Sequence, residues 1–251
     1  MPRKSLTELA NNPNLIPGIY NYCDRWCERC PLTSRCLVFA TEQESSENNA
    51  IENNDIRNAA FWKTLSEKLA EVRQLIPAWA KQTLDLNNAV EQKPVRRHNR
   101  QVDNHPLAKL GKRYANAASD WFRNLDQTTD ITTGPDDLNR QEPQPLEDAR
   151  DVIQWYQYQI AVKTIRALRS RNEETPEEEF PKDSDGSAKV ALIGIDRSIG
   201  AWRIMQLSLS ERAESIVPLI LQLETLRNDL EVSFPQARDF LRPGFDQVPS
   251  A

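Results

Sequence analysis

All four cysteines of this 251-residue chain fall within fourteen residues, as Cys23-x3-Cys27-x2-Cys30-x5-Cys36. A chain of this length buries most of its apolar surface without cross-links. The thiols are therefore free to serve chemistry. The N-terminal sequence MPRKSLTELANNPN lacks the apolar run and small-residue cleavage site of a signal peptide. The longest apolar runs, 190–195 and 216–223, are far shorter than the roughly 20 residues that cross a bilayer. The expectation is a cytoplasmic protein that does not enter the membrane, and in a reducing cytosol clustered thiols read as metal ligands before disulfides.

Seven glycines and 7% aromatic residues, with a mean hydropathy of −0.67, point to helices joined by polar connectors. We read the fold class as all-α, a helical bundle with an N-terminal cysteine-rich metal-binding module. The module takes 1–42, a polar linker 43–55, and the bundle 56–251. Apolar residues recur at the helical period in 56–81 (Phe61, Leu65, Leu69, Val72, Ile76), in 106–125 (Leu107, Leu110, Tyr114, Ala118, Trp121, Phe122) and in 146–171 (Ile153, Tyr156, Ile160, Ala167). Asn104 is the expected cap of the second of these. The helix expected at 187–209 is apolar nearly all round, which predicts the most buried element. A helix at 210–232 bent at Pro218, a short one at 235–241 and an irregular tail complete the chain. No internal repeat is present.

Cys23, Cys27 and Cys30 sit at i, i+4 and i+7, a spacing that predicts three sulfurs on one helix face. Pro31 then favours a turn that brings Cys36 back. Cys27-x2-Cys30-Pro31-Leu32-x3-Cys36 resembles the CxxCPxxxxC loop that ligates a [4Fe-4S] cluster in endonuclease-type DNA glycosylases, AddB-type nucleases and WhiB-like proteins. The resemblance implies a ligand role for Cys27, Cys30 and Cys36, with Cys23 inferred as the fourth. It extends no further. Leu15-Ile16-Pro17-Gly18-Ile19 matches half of a glycosylase hairpin turn, and Tyr20 stands where its second glycine belongs. The Gly/Trp turn and basic tail of WhiB-like proteins are missing too. Cys23-x3-Cys27-x2-Cys30 also fits the radical S-adenosylmethionine pattern, but that chemistry needs a barrel of strands and an open iron, which Cys36 would fill. Zinc in a four-cysteine site is the rival cofactor, and unmetallated redox thiols are the third alternative. Arg25, Arg29 and Arg35 stand ready to offset thiolate charge.

No catalytic set emerges. Neither His98 nor His105 follows a glutamate by three residues, which excludes a carboxylate-bridged di-iron bundle. Arg100-x4-His105 matches the RxxxxH pattern of HEPN-type ribonucleases. The net charge of −5 gives no chain-wide drive toward nucleic acid, but the connector 87–104 holds Lys93, Arg96, Arg97 and Arg100, and Lys109, Lys112 and Arg113 follow. These are the candidate phosphate contacts. An unidentified protein partner is the other expectation. Lys163 and Asp196 fall on apolar faces and are expected to be buried and in need of partners, each other among the candidates. Gly194, Gly200 and Ala201 are expected to permit close helix packing.

Overall fold

A computed structural model describes residues 8, 9, 11–48, 62, 63, 65–67, 69, 70, 92–128, 145–171 and 183–246. Among them no strand occurs, and the chain is all-α. The helices are α1 (Leu37–Asn48), α2 (Gln92–Asn104), α3 (Pro106–Thr128), α4 (Pro145–Ser170), α5 (Asp183–Ser208) and α6 (Ala213–Ser233), with short 3-10 turns at Ile19–Asn21, Cys27–Arg29, Thr33–Arg35 and Ser210–Arg212. Residues 62, 63, 65–67, 69 and 70 are also helical. Trp62 and Leu69 are more than half exposed there, and most of the helix expected at 56–81 lies outside the described residues. The chain forms two compact units, Met1–Gln92 with Arg242–Ala251, and Lys93–Leu241.

In the unit Lys93–Leu241, α4 and α5 share the largest interface, with α3 and α6 completing a bundle. Ile153, Tyr156, Ile160 and Ala167 all face inward on α4 as their spacing predicts, and α5 is buried along its length. At Gly194 on α5 an added Cβ would stand 2.9 Å from Tyr156 Cδ1 and 3.2 Å from Ile160 Cγ1. Gly111 on α3 likewise lies against Ala161 of α4, its Cβ position 3.2 Å from the Ala161 Cα. Gly200 is different. It is exposed with nothing within 4 Å, so the packing role expected for it does not hold. Gly194→Ala is expected to destabilise by about 1–3 kcal/mol through overpacking against a fixed ring. Gly200→Ala should stabilise by roughly 0.5–1 kcal/mol, the helix propensity gain. Thermal denaturation of both variants checks the opposite signs.

The packed ends of these helices hold an aromatic cluster. Trp202 stacks on Phe122 at 5.5 Å and meets Trp121 edge-on at 5.0 Å, and its Nε1 donates to the Tyr114 hydroxyl at 3.0 Å. Burial pushes the Tyr114 hydroxyl up to about 12, against the pull of the Trp202 hydrogen bond. Trp121 Nε1 donates to Ser215 Oγ at 2.9 Å, tying α3 to α6.

Several boundaries differ from expectation, each for a local reason. Helix α5 begins at Asp183 rather than 187. The Asp183 carboxylate accepts from Arg166 Nη2 at 2.6 Å and from Ser170 Oγ at 2.9 Å, and acidic residues in a first turn suit the helix dipole. Helix α1 runs on through Asn48, where a linker was expected to begin at 43. Residues 235–239 form turns rather than a helix, closed by Ala237 N–H to Phe234 O at 3.0 Å and Phe240 N–H to Gln236 O at 3.1 Å. The helix after Leu209 opens with a 3-10 turn and keeps Pro218 inside α6. Lys163 is buried, but Asp196 is at the surface. The Asp196 carboxylate is held by Arg238 at 2.7 Å and Arg227 at 3.6 Å, not by Lys163.

Candidate metal centre

The cysteine segment is not one helix. Cys27–Arg29 and Thr33–Arg35 are single 3-10 turns, and Trp26, Cys30 and Cys36 at their ends leave the helical region. Asp24 Oδ1 accepts the Trp26 N–H at 3.2 Å, a local turn that competes with helix hydrogen bonding. Arg25 adopts φ 59, the left-handed region that non-glycine residues seldom enter. The expected helical face bearing Cys23, Cys27 and Cys30 is therefore corrected to a chain that winds around a pocket.

That winding still brings the thiols to one place. Cys23, Cys27, Cys30 and Cys36 all line a single pocket, walled by Ile19, Tyr20, Trp26, Leu32, Val38, Phe39 and Phe245. None of the four forms a disulfide, and all are half-buried. Among the described residues, however, no three His, Cys, Asp or Glu side chains are gathered closely enough to hold a metal ion. The four sulfurs share a pocket without converging on a point.

The sulfurs differ in their hydrogen bonds. Cys30 Sγ accepts the Leu32 N–H at 3.4 Å. Cys23 Sγ instead donates to the Tyr20 carbonyl at 3.5 Å. Burial pushes the Cys27 thiol up, Arg25 opposes the rise, and Glu42, Cys23 and Cys36 add to it. Cys23 and Cys36 thus hinder the ionisation of Cys27, a repulsion that a cation among them would relieve.

The arginines are tethered individually. Arg25 pairs with Glu42 at 2.8 Å, Arg29 lies over the Trp26 ring at 4.0 Å, and Arg35 Nε donates to the Asn14 carbonyl at 3.3 Å. The expected lead-in packs on this loop, with Ile16 N–H donating to Arg35 O at 3.0 Å and Ile19 buried.

Sequence patterns gave no hint of the pocket's most distant wall. The tail expected to be irregular makes a turn in which Asp246 accepts from the Arg242 backbone N–H at 3.0 Å and from Nε and Nη2 at 3.0 and 2.9 Å. Gly244 at its bend has φ 77, and a Cβ there would approach Ile16 Cδ1 to 2.7 Å. The backbone thus seats directly on the lead-in and delivers Phe245 to the cysteine pocket.

The other candidates are placed elsewhere. Arg97 and Arg100 are exposed on α2 and His105 sits in the break before α3. His105 Nδ1 accepts the Leu107 N–H at 3.2 Å and so caps α3, the role expected of Asn104. Asn104 Nδ2 instead donates back to Arg100 O at 3.0 Å. Burial lowers the His105 pKa, and Arg171 adds to this. With its Nδ1 committed to the cap, His105 gives the RxxxxH pattern no support as a ribonuclease pair. Among the described residues no helix is long and apolar enough to cross a membrane. No protein-family model, curated protein or solved structure matches the chain.

Proposed function

We propose that Cys23, Cys27, Cys30 and Cys36 bind a [4Fe-4S] cluster in a cytoplasmic protein, with the helical body as a platform for a protein partner. The observation that supports this is the gathering of every thiol in the chain around one largely apolar pocket. Four soft thiolate donors fit an iron-sulfur cluster or zinc, and suit hard cations poorly. The fit is one of donor chemistry. The sulfurs must draw together around the group, and the short turns between them leave the side chains room to do so.

When bound, a cluster supplies one-electron chemistry and a four-point cross-link. The chain's own contribution is clear at three points. The Leu32 N–H holds Cys30 Sγ in place, Arg25 lowers the cost of ionising Cys27, and the apolar wall limits water. Aerobic exposure would then bleach the centre at a rate set by that wall, which suits a structural or redox-sensing role. The test is anaerobic purification followed by iron, sulfide and zinc analysis and a visible spectrum. Iron and sulfide in equal amounts, about four of each per chain for a [4Fe-4S] centre, with broad visible absorbance, support the proposal. A colourless protein with one zinc per chain replaces it with a zinc-stabilised helical adaptor, and a metal-free protein removes both.

A nucleic-acid-processing protein with a structural cluster is the second reading. The run Lys93, Arg96, Arg97 and Arg100 was expected in a connector but lies within α2, where i, i+3, i+4 and i+7 place it on one face. Pro94 is tolerated because it falls in the first turn. Such a row follows a phosphate backbone.

A further inference from the structure

The distribution of carboxylates in the unit Lys93–Leu241 is uneven. Residues 92–119 carry seven Lys and Arg with Asp103 as the sole acid, and residues 152–171 carry four with none. The fold brings these two stretches together. Gly111 packs on Ala161, His98 Nε2 lies 3.3 Å from the Arg169 carbonyl oxygen, and the Arg171 charge reaches His105. Helices α3 and α4 therefore run antiparallel, with the start of α3 beside the end of α4 and α2 against that end.

Elsewhere in this unit Arg123–Asp120, Arg203–Glu224, Arg227–Asp196 and Arg238–Glu231 are ion-paired. At this end Lys112 is taken by Asp103 and Arg166 by Asp183. Arg97, Arg100, Lys109, Arg113, Arg169 and Arg171 are exposed with no carboxylate partner among the described residues. The acidic run at 173–179 lies outside those residues.

We propose that these side chains form one composite phosphodiester-binding surface, in which Arg169 and Arg171 at the end of α4 extend the basic row of α2 and the start of α3. The proposal rests on the nucleic-acid reading of the α2 row and enlarges it. Arginine outnumbers lysine here, and its planar fork matches phosphate oxygens. A membrane surface fits less well. Helix α2 exposes Arg97, Arg100, Gln101, Asp103 and Asn104, while Val102 is buried, so its described half has no apolar face to insert.

The test measures full-length protein against labelled single-stranded RNA, single-stranded DNA and duplex DNA by anisotropy, from about 50 to 200 mM salt. The variants are Arg97→Gln with Arg100→Gln, Arg169→Gln alone, and Arg169→Gln with Arg171→Gln. Arg169→Gln alone keeps the Arg171 contact with the Phe234 ring, so an effect without loss of melting temperature is not a folding defect. Each lost phosphate contact should weaken binding roughly eightfold near 0.1 M salt and flatten the salt slope by about 0.9 for duplex DNA. Arg169→Lys should recover part of the loss. Weakening by both the α2 and the α4 variants supports the composite surface. Weakening by the α2 pair alone overturns it and leaves the nucleic-acid reading standing. No binding of wild-type protein at low salt overturns both, as does tighter binding to phosphatidylserine vesicles or equal competition by polyglutamate.

Discussion

Cys36→Ser is expected to leave the purified protein with a trace of its metal, at least a tenfold fall in metal per chain, while the far-ultraviolet helical signal is retained. The scale follows because even partners outside the ligand shell change metal affinity by roughly 10–100-fold. Cys30→Ser should behave alike, since it also removes the sulfur that accepts the Leu32 N–H. Cys23→Ser should be milder, with a centre that forms but is lost faster to chelators, because Cys23 donates to Tyr20 O and must break that bond to ligate. Uptake should weaken on acidification. The raised Cys27 pKa means that its proton must be displaced at neutral pH, so metal competes with protons from a higher pH than at an ordinary thiol. Metal analysis of the three variants and uptake across a pH series check these outcomes. Full occupancy in Cys36→Ser would rule out four-cysteine ligation.

The cysteine spacing identified the gathering of thiols but not the backbone that achieves it. Positions i, i+4 and i+7 share a helix face, yet a winding chain of 3-10 turns also brings them to one pocket. The competing signal was Asp24, whose side chain satisfies the Trp26 N–H locally. The bundle was legible wherever one face alone is buried, as on α4. It was illegible where burial does not shape the sequence. Thr41–Asn48 continues α1 without an apolar stripe, on helix formers such as Glu and Gln. The basic residues of α2 resemble a loop for the same reason. Asp196 was misjudged because its neighbours Leu192 and Ile199 are buried while its own carboxylate reaches two surface arginines. Contacts between residues distant in sequence, Phe245 above all, leave no periodic trace.

Trp202→Ala should be the most destabilising single change in the bundle, by about 3–5 kcal/mol. Trp202 is fully buried and stacked on Phe122. Its loss leaves a cavity between α3 and α5 and removes the N–H donor to the Tyr114 hydroxyl. Against a typical domain stability of about 5–15 kcal/mol, that is enough to lower the denaturation midpoint sharply. Trp202→Phe separates the two contributions. It keeps an aromatic ring but not the donor, and should cost less than the alanine variant, with roughly 1–3 kcal/mol assigned to the unpaired hydroxyl. Urea denaturation of both variants is the measurement. A loss below about 1 kcal/mol in the alanine variant would show that the cluster collapses around the gap.

The Arg242–Asp246 turn orders events in time. The four cysteines leave the ribosome together, but the pocket they line is finished only by Phe245, which follows them by roughly 10–40 s at ordinary rates of synthesis. During that interval the thiols are reachable from the side that Phe245 later covers. Once Gly244 seats on Ile16, Phe245 covers that side of the pocket. A group bound by these thiols would thus meet a more open pocket before the tail is made than after it, an order set by the direction of synthesis.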